Sequence, residues 1–263
     1  MLRWLLSSPA NKGDAMRKLN KAFKSIGVLL VVMFATSDAQ VKRNDTSGVG
    51  LLETGVFHGN EVTAQTGERW LGLYVEGESS VLLPYRLTVD TVFDDIVDHG
   101  TGQKTGKEVT IDLPLEPLFL LNGATMLSAG SIGTVFGDGE RTTASSLTPS
   151  SPIELKLAGD SYQLEVIGAE NGTNCSDQQL ARHARLVLKL GEKTQTLYSL
   201  EDCGNDPGWA LLWAGDLDRD GKLDLYVNVS QHYNVSERRL FLSSRASAGQ
   251  MVKEIAQFIT VGC

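Results

Sequence analysis

Long apolar runs are missing from this chain of 263 residues: the longest, Ile26 to Ala35, covers ten. A helix that crosses a bilayer needs about 20 apolar residues, so no stable membrane span is expected. Cysteine is almost absent, and Cys175, Cys203 and Cys263 are too widely spaced for a zinc site or a redox-active pair. The four histidines, His58, His99, His183 and His232, include no i, i+4 pair and have no neighbouring cysteine, which argues against a histidine metal site. Positive charge is short as well, with 24 Lys and Arg against 32 Asp and Glu, a net charge of −8. That balance repels phosphate backbones and anionic lipid surfaces, so nucleic acid is excluded as the expected partner.

The short apolar run has a different use. Met16 to Lys24 is a basic stretch, Ile26 to Ala35 follows as an uncharged core, and Ser37-Asp38-Ala39 places small residues where a signal peptidase cuts. Residues 1–39 are therefore expected to be a signal peptide, with Met16 as an alternative start and an uncleaved anchor helix as the competing reading. The protein would then be secreted or periplasmic, with Gln40 as its first residue. Removal of residues 1–39 takes away six basic and two acidic residues and leaves a net charge of −12. In an oxidising compartment Cys203 is expected to form a disulfide, with Cys175 or with Cys263.

From Gln40 on, the chain has the period of strands almost everywhere. Ile153 to Leu157 alternates apolar and charged residues, turns at Gly159-Asp160 and returns as Tyr162 to Val166. Arg185 to Leu190 and Thr194 to Leu200 flank Gly191-Glu192-Lys193 in the same way, and Trp70 to Val75 and Val81 to Phe93 flank Gly77. The expected class is mainly β, with antiparallel hairpins forming a sandwich or two packed β units. Residues 137–152, rich in Gly, Ser, Thr and Pro, form either a linker between units 40–136 and 153–263 or a long surface loop in one domain.

One segment carries specific chemistry. Asp216-Leu217-Asp218-Arg219-Asp220-Gly221-Lys222-Leu223-Asp224 reads D-x-D-x-D-G-x-x-D. Alternate carboxylates from one tight loop supply the several oxygens a hard divalent cation requires, and the glycine allows the sharp turn. Asp216, Asp218, Asp220 and Asp224 are the expected side-chain ligands, with Lys222 contributing its backbone carbonyl. An EF-hand is excluded, because Val227 stands where it needs a bidentate Glu and the flanks have strand rather than helix character. The following strand, Leu223 to Val229, alternates as though one face were wet.

The run G-D-L-D-R-D-G-K-L-D-L at residues 215–225 resembles the FG-GAP or VCBS-type repeats, whose strand–loop–strand calcium sites line integrin-like propellers. Those families repeat the motif, whereas this chain carries it once, and one blade cannot close a ring. The longer run from Trp213 to Ser244 is similar to uncharacterised secreted bacterial proteins with a single such loop. The resemblance implies bound Ca2+ and no particular pathway. Together these features point to an exported, non-enzymatic β protein with one structural Ca2+. A calcium-dependent carbohydrate-binding or adhesion module, using Trp70, Trp209 and Trp213 on a glycan or protein partner, is one alternative. A hydrolase with an unrecognised site is another; Ser131, in Ala129-Gly130-Ser131-Ile132-Gly133, lacks the following helix a nucleophile elbow requires.

Overall fold

The computed structural model describes residues 48–77, 79–137, 144–149, 151–168, 184–200 and 208–262. The expected cleavage site, all three cysteines, His183 and residues 138–143 and 150 of the Gly/Ser/Thr/Pro-rich stretch lie outside the described residues. Among those described, every regular element is a strand, so the protein is mainly β and antiparallel.

The three hairpins read from the sequence form as expected. β3 (Arg69–Glu76) pairs with β4 (Ser79–Val92), β9 (Ile153–Leu157) with β10 (Asp160–Ile167), and β11 (Arg185–Leu190) with β12 (Lys193–Ser199). β9 to β12 make a four-stranded sheet in the order β12-β11-β10-β9. The alternating Leu155, Tyr162, Leu164, Val166, Leu186 and Leu188 turn one face of it inward.

A second sheet of twelve strands runs β1 (Gly50–Leu52), β6 (Phe119–Asn122), β3, β4, β7 (Gly130–Phe136), β13 (Trp209–Asp216), β14 (Asp224–Val229), β15 (Val235–Leu242) and β16 (Lys253–Val261). It takes strands from both sides of residues 137–152. β5 (Gly106–Ile111) extends the far half of β4, β2 (Gly55–Phe57) pairs with β5, and β8 (Ser145–Ser146) pairs with β13. β1 and β16, the two ends of the order, lie against each other, so the sheet is nearly closed.

This curl decides what happens to β14. Leu223, Leu225, Val227 and Val229 pack on the four-stranded sheet in one core with Leu211 and Phe241. Their neighbours Asp224, Tyr226 and Asn228 point into the curl, where the Tyr226 ring sits 4.6 Å from that of Phe119 on β6. Every residue of β14 is buried, against the expectation of one wet face. The polar residues on the inner face find hydrogen-bond partners within the protein. The Tyr226 hydroxyl donates to Glu53 at 2.7 Å, and Asn228 accepts from the Glu237 amide at 3.0 Å and from the Ser230 hydroxyl at 2.7 Å. A bulge between Leu211 and Trp213 in β13 lets consecutive apolar residues bury on both sides of that strand.

Candidate metal site

The acidic loop links β13 to β14, as the spacing of the motif requires. β13 ends at Asp216 and β14 begins at Asp224, whose register partner is Gly215, so the strand pair brings the first and last carboxylates to the same end of the hairpin. Asp216, Asp218 and Asp224 each offer an oxygen, and the three oxygens lie within 4.8 Å of one another. Oxygens on opposite sides of a calcium ion, at 2.3–2.6 Å each, stand about 5 Å apart, so this cluster has the right span.

Each carboxylate is held separately. Asp216 Oδ2 accepts the Gly221 amide at 3.0 Å, while its Oδ1 is buried and has no hydrogen-bond partner. Burial pushes the Asp216 carboxyl up, more than the Gly221 and Asp220 amides pull it down. Asp224 is fully buried. Its Oδ2 accepts the Leu217 amide at 2.7 Å, and its Oδ1 accepts the Ser243 amide at 2.7 Å and hydroxyl at 2.9 Å. Burial dominates here too, reinforced by the charge of Asp218, and the Asp224 pKa rises to about 8. Asp218 accepts the Ser244 hydroxyl on Oδ2 and the Asp220 amide on Oδ1 at 3.3 Å.

Asp220 and Lys222 stand outside that triad. The Asp220 carboxylate accepts the Lys222 amide at 2.9 Å and the Ser243 hydroxyl at 3.0 Å, with the Lys222 ammonium 3.6 Å away. Gly221 has φ +82°, the left-handed conformation a side chain resists. Arg219 adopts φ +63° although it is not glycine, and its guanidinium explains how that is held. Nε donates to the Ser131 carbonyl at 2.9 Å, and the two terminal nitrogens donate to the Ser128 hydroxyl at 3.1 Å and carbonyl at 3.0 Å. The loop is thereby tied to the chain entering β7. Ser243 and Ser244, just after β15, had no signal in the sequence beyond lying in the run similar to the single-loop proteins.

The other candidates fall elsewhere. Ser131 lies within β7, opposite Val81 of β4, without the strand–helix turn of a nucleophile elbow. Trp70, Trp209 and Trp213 are buried, so their rings pack the core and present no stacking face. His58 has a carboxylate partner: Nδ1 lies 2.5 Å from Asp94 Oδ2, and the ring also bonds the Val261 backbone. Compared with protein-family models, with curated proteins and with solved structures, the chain finds no match in any of the three.

Proposed function

We propose that this is an exported, non-enzymatic β protein whose acidic loop binds one Ca2+ as a structural ion, in the manner of a single FG-GAP or VCBS-type loop. The observation that carries the reading is the buried, unpartnered Oδ1 of Asp216 beside the Asp218 and Asp224 carboxylates. A buried carboxylate oxygen without a donor is costly, and a cation satisfies it while cancelling the repulsion among the three acids. The donors are all oxygen, which suits calcium rather than zinc or copper. Asp216, Asp218 and Asp224 would hold the ion, with the Asp220 carboxylate and the Lys222 carbonyl completing the shell from the same loop. Bound there, Ca2+ supplies charge neutralisation and a fixed cross-link between β13 and β14.

Isothermal titration of the metal-stripped protein with CaCl2 tests this, and pH makes the test specific. The raised Asp224 pKa means that a proton must leave before the ion binds. Apparent affinity is expected to rise about tenfold per pH unit from pH 6 to near 8 and then level off, with about one proton released per ion below pH 8. The metal-free fold has the opposite dependence. A carboxyl whose folded pKa is raised favours folding below its unfolded value near 4 and loses that contribution as pH climbs through about 8. Asp218→Asn is expected to abolish the titration; a wild-type protein that takes up no calcium at pH 8 would refute the site.

Export has its own readout. Mass spectrometry of protein recovered from its native compartment is expected to find Gln40 at the N-terminus, and an intact chain retaining residues 16–39 would sink that part of the reading.

A further inference from the structure

The large apolar side chains left exposed among the described residues are Val56, Phe93, Ile96, Val97, Tyr233, Ile259 and Val261. They are not scattered. Val56 lies on β2, Phe93, Ile96 and Val97 follow β4, and Ile259 and Val261 share the outward face of the end of β16. Tyr233 stands in the turn before β15, whose first residue, Val235, pairs with Val261. Single exposed apolar residues need no explanation, whereas a concentration around one cavity marks a contact surface.

A cavity of about 270 Å³ opens in the middle of this surface, lined by Val56, Phe93, Ile96 and Val261. Its floor is built in advance. Glu61 accepts the His58 amide at 3.0 Å on one oxygen and the Val261 amide at 2.6 Å on the other, and His58 bridges Asp94 to the Val261 backbone. Asp94 is fixed further by the Ile96 and Val97 amides at 3.0 and 3.1 Å. Among the described residues, the lining includes His58, Glu61, Asp94 and the exposed Asp95 but no Lys or Arg.

Size and charge narrow what could sit here. Pockets for drug-sized ligands usually enclose about 300–1,000 Å³; this one, at about 270 Å³, lies just below that range and has room for one large apolar side chain. Val97, Tyr233 and Ile259 lie outside the cavity lining and widen the apolar area beyond what a small molecule would touch. A second copy of this chain, with a net charge of −8 for the whole sequence and −12 without residues 1–39, would bring acid against acid. We propose that this surface docks a polypeptide partner that inserts one apolar side chain into the pocket and sets a Lys or Arg beside Asp95. The preformed floor limits the ordering cost of such binding, and the exposed Asp95 at its edge selects the sign of the partner's charge. The proposal is independent of the acidic loop.

Three fluorescein-labelled peptides of repeated Leu-Lys, Leu-Glu and Ser-Lys, titrated into the full chain, separate apolar insertion from simple charge attraction. The Leu-Lys peptide is expected to bind, and the other two to bind at least about tenfold more weakly. Hydrogen exchange is expected to place its protection on residues 55–58, 93–98 and 259–262. Ile96→Ser and Val261→Ser, exposed positions that leave the core untouched, are expected to weaken it about tenfold, the effect of losing a central contact. Asp95→Lys is expected to shift preference from the Leu-Lys to the Leu-Glu peptide. Equal binding of the Ser-Lys peptide, protection elsewhere, no binding of any peptide, or a dimer in sedimentation that Ile96→Ser abolishes would each overturn the proposal.

Discussion

Saturating Ca2+ is expected to raise the melting temperature of the metal-stripped protein by about 5–10 °C. A ligand that binds only the folded state adds RT ln(1 + [L]/Kd), about 2.7 kcal/mol at a hundredfold excess over Kd. In a domain of 150–250 residues each kcal/mol moves the melting temperature by about 2–4 °C. Magnesium is expected to do less, because it demands a strict octahedron and gives up its water reluctantly. Asp218→Asn and Asp220→Ala are each expected to remove most of the calcium response while circular dichroism keeps its β signature. Neither side chain takes part in the Leu217 and Ser243 amide bonds to Asp224 that support the strands, although Asp220 shares the Ser243 hydroxyl with Asp224. Superimposable melting curves in calcium and in chelator would mean that the loop is an acidic turn and nothing more.

Gly215→Ala is expected to be the most damaging single-atom-scale change in the neighbourhood of the site. A Cβ at that position would stand 2.2 Å from the Gly133 carbonyl oxygen and 2.4 Å from the Trp213 ring. Neither can move aside cheaply. Gly133 belongs to β7, which is paired with β13 at this point, and Trp213 is fully buried with its indole N–H donating to Thr134 at 3.1 Å. Overpacking of this kind costs about 3 kcal/mol when backbone must shift. The melting temperature should fall by about 6–12 °C. The loss is expected in chelator as well as in calcium, which separates it from the loop variants. A Gly215→Ala protein that melts within about 2 °C of wild type would contradict the close approach of β7 and β13.

Much of the fold was legible because it is local. The β3–β4, β9–β10 and β11–β12 hairpins announce themselves through period-two alternation on either side of glycine-containing turns. The acidic loop is legible for the same reason: its carboxylates sit within nine residues, and strands on both sides follow from the flanking composition. Alternation cannot tell a solvated polar residue from one satisfied by a distant part of the chain. Asp224, Tyr226 and Asn228 looked like a wet face, yet the acceptor for Tyr226 is Glu53, 173 residues earlier in the sequence. Ser243, which donates to both Asp220 and Asp224, was hidden likewise, since β15 must fold back on β14 before it arrives. The pairing of β7 with β13 depends on the curl of the sheet and leaves no mark on either strand.

That curl sets the order in which the molecule can be assembled. β1 begins at Gly50 and its neighbour at the near-closure, β16, ends at Val261; the Val261 amide is bonded to Glu61, 200 residues away along the chain. A ribosome delivers β1 long before β16 exists. Until residues 253–261 emerge, β1 lacks its neighbour and β15 exposes the edge on which β16 will pair, both open to mispairing. Contacts this remote in sequence make folding slow, and they place completion of the sheet after residues 253–261 have been made. Such a chain has a natural interval in which it remains threadable, and its survival through that interval rests on whatever binds unfolded polypeptide in the cell.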